Sequence, residues 1–192
     1  MSLINKPAPK FTAPAVINGN EIVKNFSLEQ YIGQKSVVLF FYPKDFSGLC
    51  PSELIAYQNQ LADFEALDCA VVGCSTDTEE THLTWLSMPQ SKGGIQGITY
   101  PIVADVSKTI ANNFGVLGGE YYYNDEGEFS FEGAPIALRG TFLINKKGII
   151  KHCLINDFPI GRNIEESLRM VEAHDHLEKH GQICLANWKK NA

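Results

Sequence analysis

The sequence predicts one α/β layer fold, a mixed β-sheet with helices on its faces. Three observations carry this: apolar runs too short for helices at residues 36–42 and 69–74, an amphipathic helical pattern between them, and a strand pair followed by a second helical pattern near the C-terminus. A chain of 192 residues fits a single domain and has enough interior to need neither disulfides nor metal. With 44% hydrophobic and 20% charged residues and no repeat, it is neither disordered nor fibrous.

In chain order, Asn18-Gly19-Asn20 between two short apolar runs at residues 13–16 and 21–23 has the turn chemistry of an N-terminal β-hairpin. Val37, Val38, Leu39, Phe40 and Phe41 in succession read as a central strand buried on both faces, and the run at 69–74 has the same character. Leu54, Tyr57, Leu61, Phe64 and Leu67, at steps of three and four, predict one amphipathic helix over residues 52–68, with Pro51 suited to its first turn. Runs at 141–144 and 149–155 flank the turn Asn145-Lys146-Lys147-Gly148 as a second hairpin. Asn163 followed by Glu166 fits a capping box, Ile164, Leu168 and Val171 give a helical face to His180, and Gly181 stops it. The expected division is a main unit at 1–165 and a C-terminal helix with its extension at 166–192, within one domain.

Sixteen Lys and Arg against 22 Asp and Glu leave a net charge of −6, which gives nucleic acid no electrostatic footing. No apolar stretch approaches the roughly 18 residues of a membrane span, and the N-terminus holds no apolar signal region. Five cysteines cannot all pair within one chain, so at least one thiol is left over, and a reducing, cytoplasmic setting is expected.

The chemistry concentrates at Phe41-Tyr42-Pro43-Lys44-Asp45-Phe46-Ser47-Gly48-Leu49-Cys50-Pro51-Ser52-Glu53. A buried strand ends, a Pro- and Gly-containing loop follows, and Cys50 lands at the start of the next helix. Unpaired N–H groups and the positive end of the helix dipole there favour a thiolate. Ser47 places a hydroxyl in the same loop, and Pro43 stiffens the loop and shields the sulfur. Position alone leaves open the alternative that Cys50 is a small buried apolar residue.

This loop resembles the peroxiredoxin active-site motif Pro-x-x-x-Thr/Ser-x-x-Cys, with Pro43, Ser47 and Cys50 in register. Further segments are similar in order: Thr84-Trp85, Gly93-Gly94-Ile95, Tyr100 to Asp105, Leu138-Arg139-Gly140-Thr141, Asn156 to Arg162, and His180 to Trp188. The resemblance spans about residues 5–190 and is nearest to the typical two-cysteine subgroup, which includes the peroxidase component of bacterial alkyl hydroperoxide reductase. It implies a thioredoxin-like fold and a thiol peroxidase that needs no cofactor. Cys50 would attack a hydroperoxide and become a sulfenic acid, Arg139 would stabilise the thiolate and the departing oxygen, Ser47 would bind the peroxide and Glu53 would orient an arginine. Taken by themselves, Arg139 reads sooner as a strand-edge ion pair and Arg162 as a surface charge near a helix start. The resemblance also makes Cys184 the resolving cysteine, supplied by the neighbouring protomer of a homodimer that assembles to a decamer. The disulfide would be reset by thioredoxin or by the flavoprotein component of an alkyl hydroperoxide reductase.

Departures are informative. Ser47 stands for the commoner Thr, Gly48 for a bulky aromatic and Leu185 for Pro, changes that loosen the loop and the resolving segment. Residues 118–135, with Tyr121-Tyr122-Tyr123, are longer than the family norm and suggest an extra hairpin. No Tyr-Phe helix follows Trp188, so comparative resistance to overoxidation is expected. Cys69, Cys74 and Cys153, in apolar strand-like runs, are expected to be inert and buried. His176, His180 and Cys184 recur every four residues, but Gly181 interrupts the helix and no further ligand completes a zinc set, so no metal is expected. A thioredoxin-like oxidoreductase lacks its second cysteine, since Glu53 occupies that position. A ring-forming holdase chaperone is the non-enzymatic alternative.

Overall fold

A computed structural model describes residues 2–190. The chain opens with the hairpin of β1 (Ala13–Ile17) and β2 (Glu21–Phe26), which turns through Asn18 and Gly19 at φ of 54° and 76°. β3 (Ser36–Phe41) leads to α1 (Cys50–Asn59) and α2 (Leu61–Glu65), then β4 (Cys69–Ser75), α3 (Glu79–Ser87), β5 (Ile102–Ala104) and α4 (Thr109–Asn113). There follow β6 (Leu117–Tyr123), β7 (Phe129–Ala137), β8 (Arg139–Ile144), β9 (Ile150–Asn156) and α5 (Ile164–His180).

Seven strands form one mixed sheet in the order β2-β1-β5-β4-β3-β8-β9, while β6 and β7 pair only with each other. β3, β4 and β5 run parallel, joined by helical crossovers, and β8 lies antiparallel against the other side of β3. Val38, Phe40 and Tyr42 enter the core layer covered by α1, α3 and α5, while Val37, Leu39 and Phe41 enter the opposite layer. That two-sided burial is why β3 reads as an unbroken apolar run. β3 lies between parallel β4 and antiparallel β8, and its carboxyl end runs into the loop that leads to Cys50.

The helix expected over residues 52–68 is two helices that meet at Gln60, whose ψ of 8° lies off the helical value. The apolar spacing suggested one helix because Leu54, Tyr57 and Phe64 all face the same core; periodicity reports facing, not continuity of the axis. The helix also starts earlier than expected, which makes Cys50 its first residue. Asn163 caps α5 by accepting from the Glu165 N–H at 3.0 Å, and Gly181 ends it at φ 66°. The reciprocal Glu166 bond of a capping box is absent among the described residues. Cys69 and Cys74 are buried as expected, but Cys153 is only partly buried, because β9 is an edge strand covered less fully than the centre of the sheet.

The Gly93-Gly94 loop has a packing reason. The Trp85 indole donates to the Gly93 carbonyl at 2.9 Å, and a Cβ at Gly94 would stand 2.0 Å from the Met88 carbonyl oxygen. Gly94→Ala is therefore expected to lower stability by about 1–3 kcal/mol, read as a reduced denaturant midpoint.

Candidate active site

Cys50 sits at the first position of α1, fully buried, with Pro51 next in the first turn. The Ser47 hydroxyl accepts from the Cys50 backbone N–H at 3.3 Å. The Ser47 hydroxyl is thus bound to the backbone of Cys50. Pro43 is buried beneath the loop, whereas Gly48 is exposed, with open space where a side chain would project.

Arg139, the first residue of β8, reaches across the sheet end and donates from Nη1 to Cys50 Sγ at 3.4 Å. The same nitrogen donates to Glu53 Oε2 at 2.6 Å, and Nε donates to the Phe158 carbonyl at 2.7 Å. A planar guanidinium held on two sides has little freedom to turn from the sulfur. Glu53, one helical turn after Cys50, holds a second arginine as well. Arg162 donates from its backbone N–H and from Nε to Glu53 Oε1 at 2.8 and 3.0 Å, and from Nη2 to Oε2 at 2.8 Å. Its Nη1 donates to the carbonyls of Phe41 and Gly140 at 2.8 and 3.1 Å, and its guanidinium lies 5.0 Å from the centre of the Phe40 ring.

Burial pushes the Glu53 carboxyl up, but the hydrogen bonds and charge of Arg162, with the charge of Arg139, outweigh it and hold the group below its ordinary value. Two buried cations therefore share one buried anion, and the uncompensated positive charge faces Cys50. Arg162, which by itself reads as a surface charge, is buried. Burial pushes the Cys69 thiol up to about 12 and the Cys74 thiol well above its ordinary value, so neither is a competing nucleophile.

Cys184 lies beyond α5 in an irregular segment, half-buried, its thiol donating to the Ala173 carbonyl at 3.3 Å. Both it and Cys50 are free thiols. The structure thus brings together Cys50, Ser47, Glu53, Arg139 and Arg162, buries Pro43 in the same loop, and leaves Cys184 apart from them, against α5. No group of three or more metal-binding side chains occurs among the described residues.

A second buried network has no counterpart in the sequence reading. His82, fully buried on α3, places Nδ1 2.7 Å from Asp45 Oδ2 and Nε2 3.3 Å from the Val103 carbonyl, and the Tyr42 hydroxyl donates to Asp45 Oδ1 at 2.7 Å. The Asp45 N–H donates to Asp77 at 2.9 Å. These bonds pin the start of the loop that carries Cys50. In sequence His82 shares a helix face with Trp85 and Leu86, an apolar setting in which it passes for ordinary packing.

A mixed sheet with a buried cysteine at a helix start, facing an arginine fixed by a carboxylate, defines a thiol-based oxidoreductase of peroxiredoxin type. Comparison with known proteins agrees. Residues 4–153 match the AhpC/TSA family. Alkyl hydroperoxide reductase C of Helicobacter pylori is 44% identical over 188 residues, covering 98% of this chain and 88% of that protein. Peroxiredoxin-2 of Rattus norvegicus is 44% identical over 186 residues, 97% of this chain and 86% of its own length. The reduced 2-Cys peroxiredoxin of Plasmodium vivax superposes with a TM-score of 0.88 at 38% identity, over 100% of this chain and 92% of that one. The chain belongs to the AhpC/TSA family, and its thioredoxin-like fold is the one the sequence resemblance implies.

Proposed function

We propose that the chain is a thiol peroxidase that reduces hydrogen peroxide and organic hydroperoxides, in antioxidant defence, through Cys50. The observation that carries this is the Arg139 Nη1 contact with Cys50 Sγ at 3.4 Å, held by Glu53. The thiolate sulfur attacks the terminal oxygen of the hydroperoxide, the O–O bond breaks, and the electron pair leaves on the other oxygen, which takes a proton to become water or an alcohol. Cys50 becomes a sulfenic acid. Arg139 stabilises charge on sulfur before the attack and on the departing oxygen during it. Glu53 and Arg162 are positioning residues, because they fix Arg139 and the helix start. Ser47 and Pro43 shape the loop.

The sulfenic acid then condenses with the Cys184 thiol of a second protomer, forming the S–S bond and releasing water. That requires the first turn of α1 to open, since Cys50 is buried and a disulfide needs Cα atoms within about 7 Å. Opening breaks the bond from the Cys50 N–H to Ser47 at 3.3 Å and the bond from the Ser52 hydroxyl to the Leu49 carbonyl at 2.7 Å, while Asp45 before the turn and Glu53 within it are the anchored points. A dithiol reductant, thioredoxin or a flavoprotein disulfide reductase, returns both thiols. We place the enzyme in the cytoplasm, as a homodimer that assembles further to a decamer. No helix among the described residues is long and apolar enough to cross a membrane. The relatives are named as reductases and peroxiredoxins, which does not favour the holdase reading.

The test is a non-reducing gel after addition of one equivalent of hydrogen peroxide. Wild type is expected to run as a covalent dimer, and Cys184→Ser to remain monomeric while still losing its Cys50 thiol. An oxidised monomer with an internal Cys50–Cys184 bond overturns the intersubunit assignment, and an unoxidised Cys50 overturns the peroxidase reading.

A further inference from the structure

The extra hairpin and the C-terminal segment carry the most exposed large apolar side chains of the described chain. Tyr123 and Phe129 on the hairpin are 73% and 64% exposed, and Ile183 and Leu185 beside Cys184 are 84% and 76% exposed, the four highest values among the exposed large apolar side chains. On the hairpin the aromatics are organised. Tyr121 stacks on Phe129 at 5.2 Å with nearly parallel planes, and Tyr123 lies 5.4 Å from Phe129. A stripe of this kind on one face of a two-stranded ribbon has no core beneath it on that side.

Charge decides what covers it. Residues 117–137 hold five carboxylates, Glu120, Asp125, Glu126, Glu128 and Glu132, and no Lys, Arg or His, so this ribbon accounts for −5 of the net −6. Among the described residues none of the five takes part in an ion pair. Glu120 and Glu132 even stand directly opposite each other in the strand pairing, a repulsive arrangement unless a cation joins them. Contact between two such hairpins would set like charges together. The segment at residues 181–190 is the reverse, with Lys189 and Lys190 and no acidic residue. Its ties to its own protomer are few: Lys190 lies 3.9 Å from the half-buried Glu172, Cys184 makes one bond to a backbone carbonyl, and the Trp188 ring lies 5.1 Å from that of His176 on α5.

The base of the hairpin adjoins the active site. Gly118 approaches Phe158 so closely that a Cβ would stand 2.6 Å from its ring, and the Phe158 carbonyl is one of the two groups that hold Arg139. We infer that the acidic aromatic hairpin is a docking arm for the basic C-terminal segment of a second copy of this chain, and that it delivers the Cys184 of that copy to oxidised Cys50. The inference rests on the intersubunit resolution proposed above. The step it assists is unchanged: the sulfenic acid oxygen leaves as water, taking the thiol proton, and the S–S bond forms. Ile183 and Leu185 cover the aromatic stripe, and the two lysines meet the carboxylates, with a cation–π contribution where an ammonium lies over a ring.

The test uses the full chain and reads two rates in one quenched single turnover with hydrogen peroxide: loss of the Cys50 thiol by mass spectrometry, and appearance of the disulfide-linked dimer on a non-reducing gel. A double variant carrying Glu126→Lys and Glu128→Lys is expected to slow dimer formation about 5–10-fold relative to Cys50 oxidation at low salt, with the gap closing near 0.5 M salt as charges are screened. Adding Lys189→Glu and Lys190→Glu to that variant restores the rate. A ratio equal to that of wild type in the double variant, or no recovery on charge exchange, overturns the docking arm while leaving the intersubunit reading intact. Absence of the Cys50–Cys184 dimer in wild type overturns both.

Discussion

Cys50→Ser is expected to reduce hydroperoxide consumption by at least about a thousandfold, to the background rate, while Cys69→Ser stays close to wild type. Both substitutions exchange sulfur for oxygen at fully buried positions, so a general packing effect falls on both alike. The chemistry does not. At Cys50 the sulfur faces Arg139 and starts a helix, and a serine hydroxyl there stays protonated and attacks peroxide oxygen poorly. At Cys69 burial holds the thiol with a pKa near 12 and no cationic side chain bonds to it, so its loss removes no step. Initial rates of peroxide loss with dithiothreitol as reductant, alongside circular dichroism of each variant, separate the two effects. Turnover retained in Cys50→Ser, or lost in a folded Cys69→Ser, overturns the assignment.

That contrast also indicates what the sequence could reveal. Cys50 was legible because its signal is local: a buried strand, a loop and a helix start lie within a dozen residues. The sheet was legible for the same reason, since β3, β4 and the β8–β9 hairpin are short apolar runs bounded by turn residues. Arg139 and Arg162 were legible only through family resemblance, because their partner Glu53 is 86 and 109 positions away in the chain and no spacing rule links them. His82 was missed on the same grounds, as Asp45 lies 37 positions before it and joins it only once α3 packs on the sheet. The break at Gln60 was hidden because both helices present apolar residues to one core. Local periodicity reports which side chains are buried, and long-range polar pairing appears only with the fold.

Glu53 bears the largest expected stability effect. Its carboxylate accepts four hydrogen bonds from two arginines at 2.6–3.0 Å, all inside the core. Glu53→Gln keeps the shape but leaves two buried guanidinium groups without a counter-ion, and the new amide turns N–H donors toward N–H donors. Breaking a buried ion pair from one side costs about 3–5 kcal/mol, so the denaturant midpoint should fall by that measure. Arg139 also loses the bond that aims it at Cys50, and Cys50 oxidation is expected to slow by about 10²–10³-fold in the fraction still folded. The pH dependence separates the charge from the shape. The folded-state pKa of Glu53 lies below its ordinary value of 4.5, so the stability it contributes is complete above that value and is lost as pH falls through the lowered one. The stability gap between wild type and Glu53→Gln should therefore be widest near neutrality and narrow in that acid window. A gap independent of pH down to the acid limit of folding would mean that the loss came from packing rather than from the carboxylate charge.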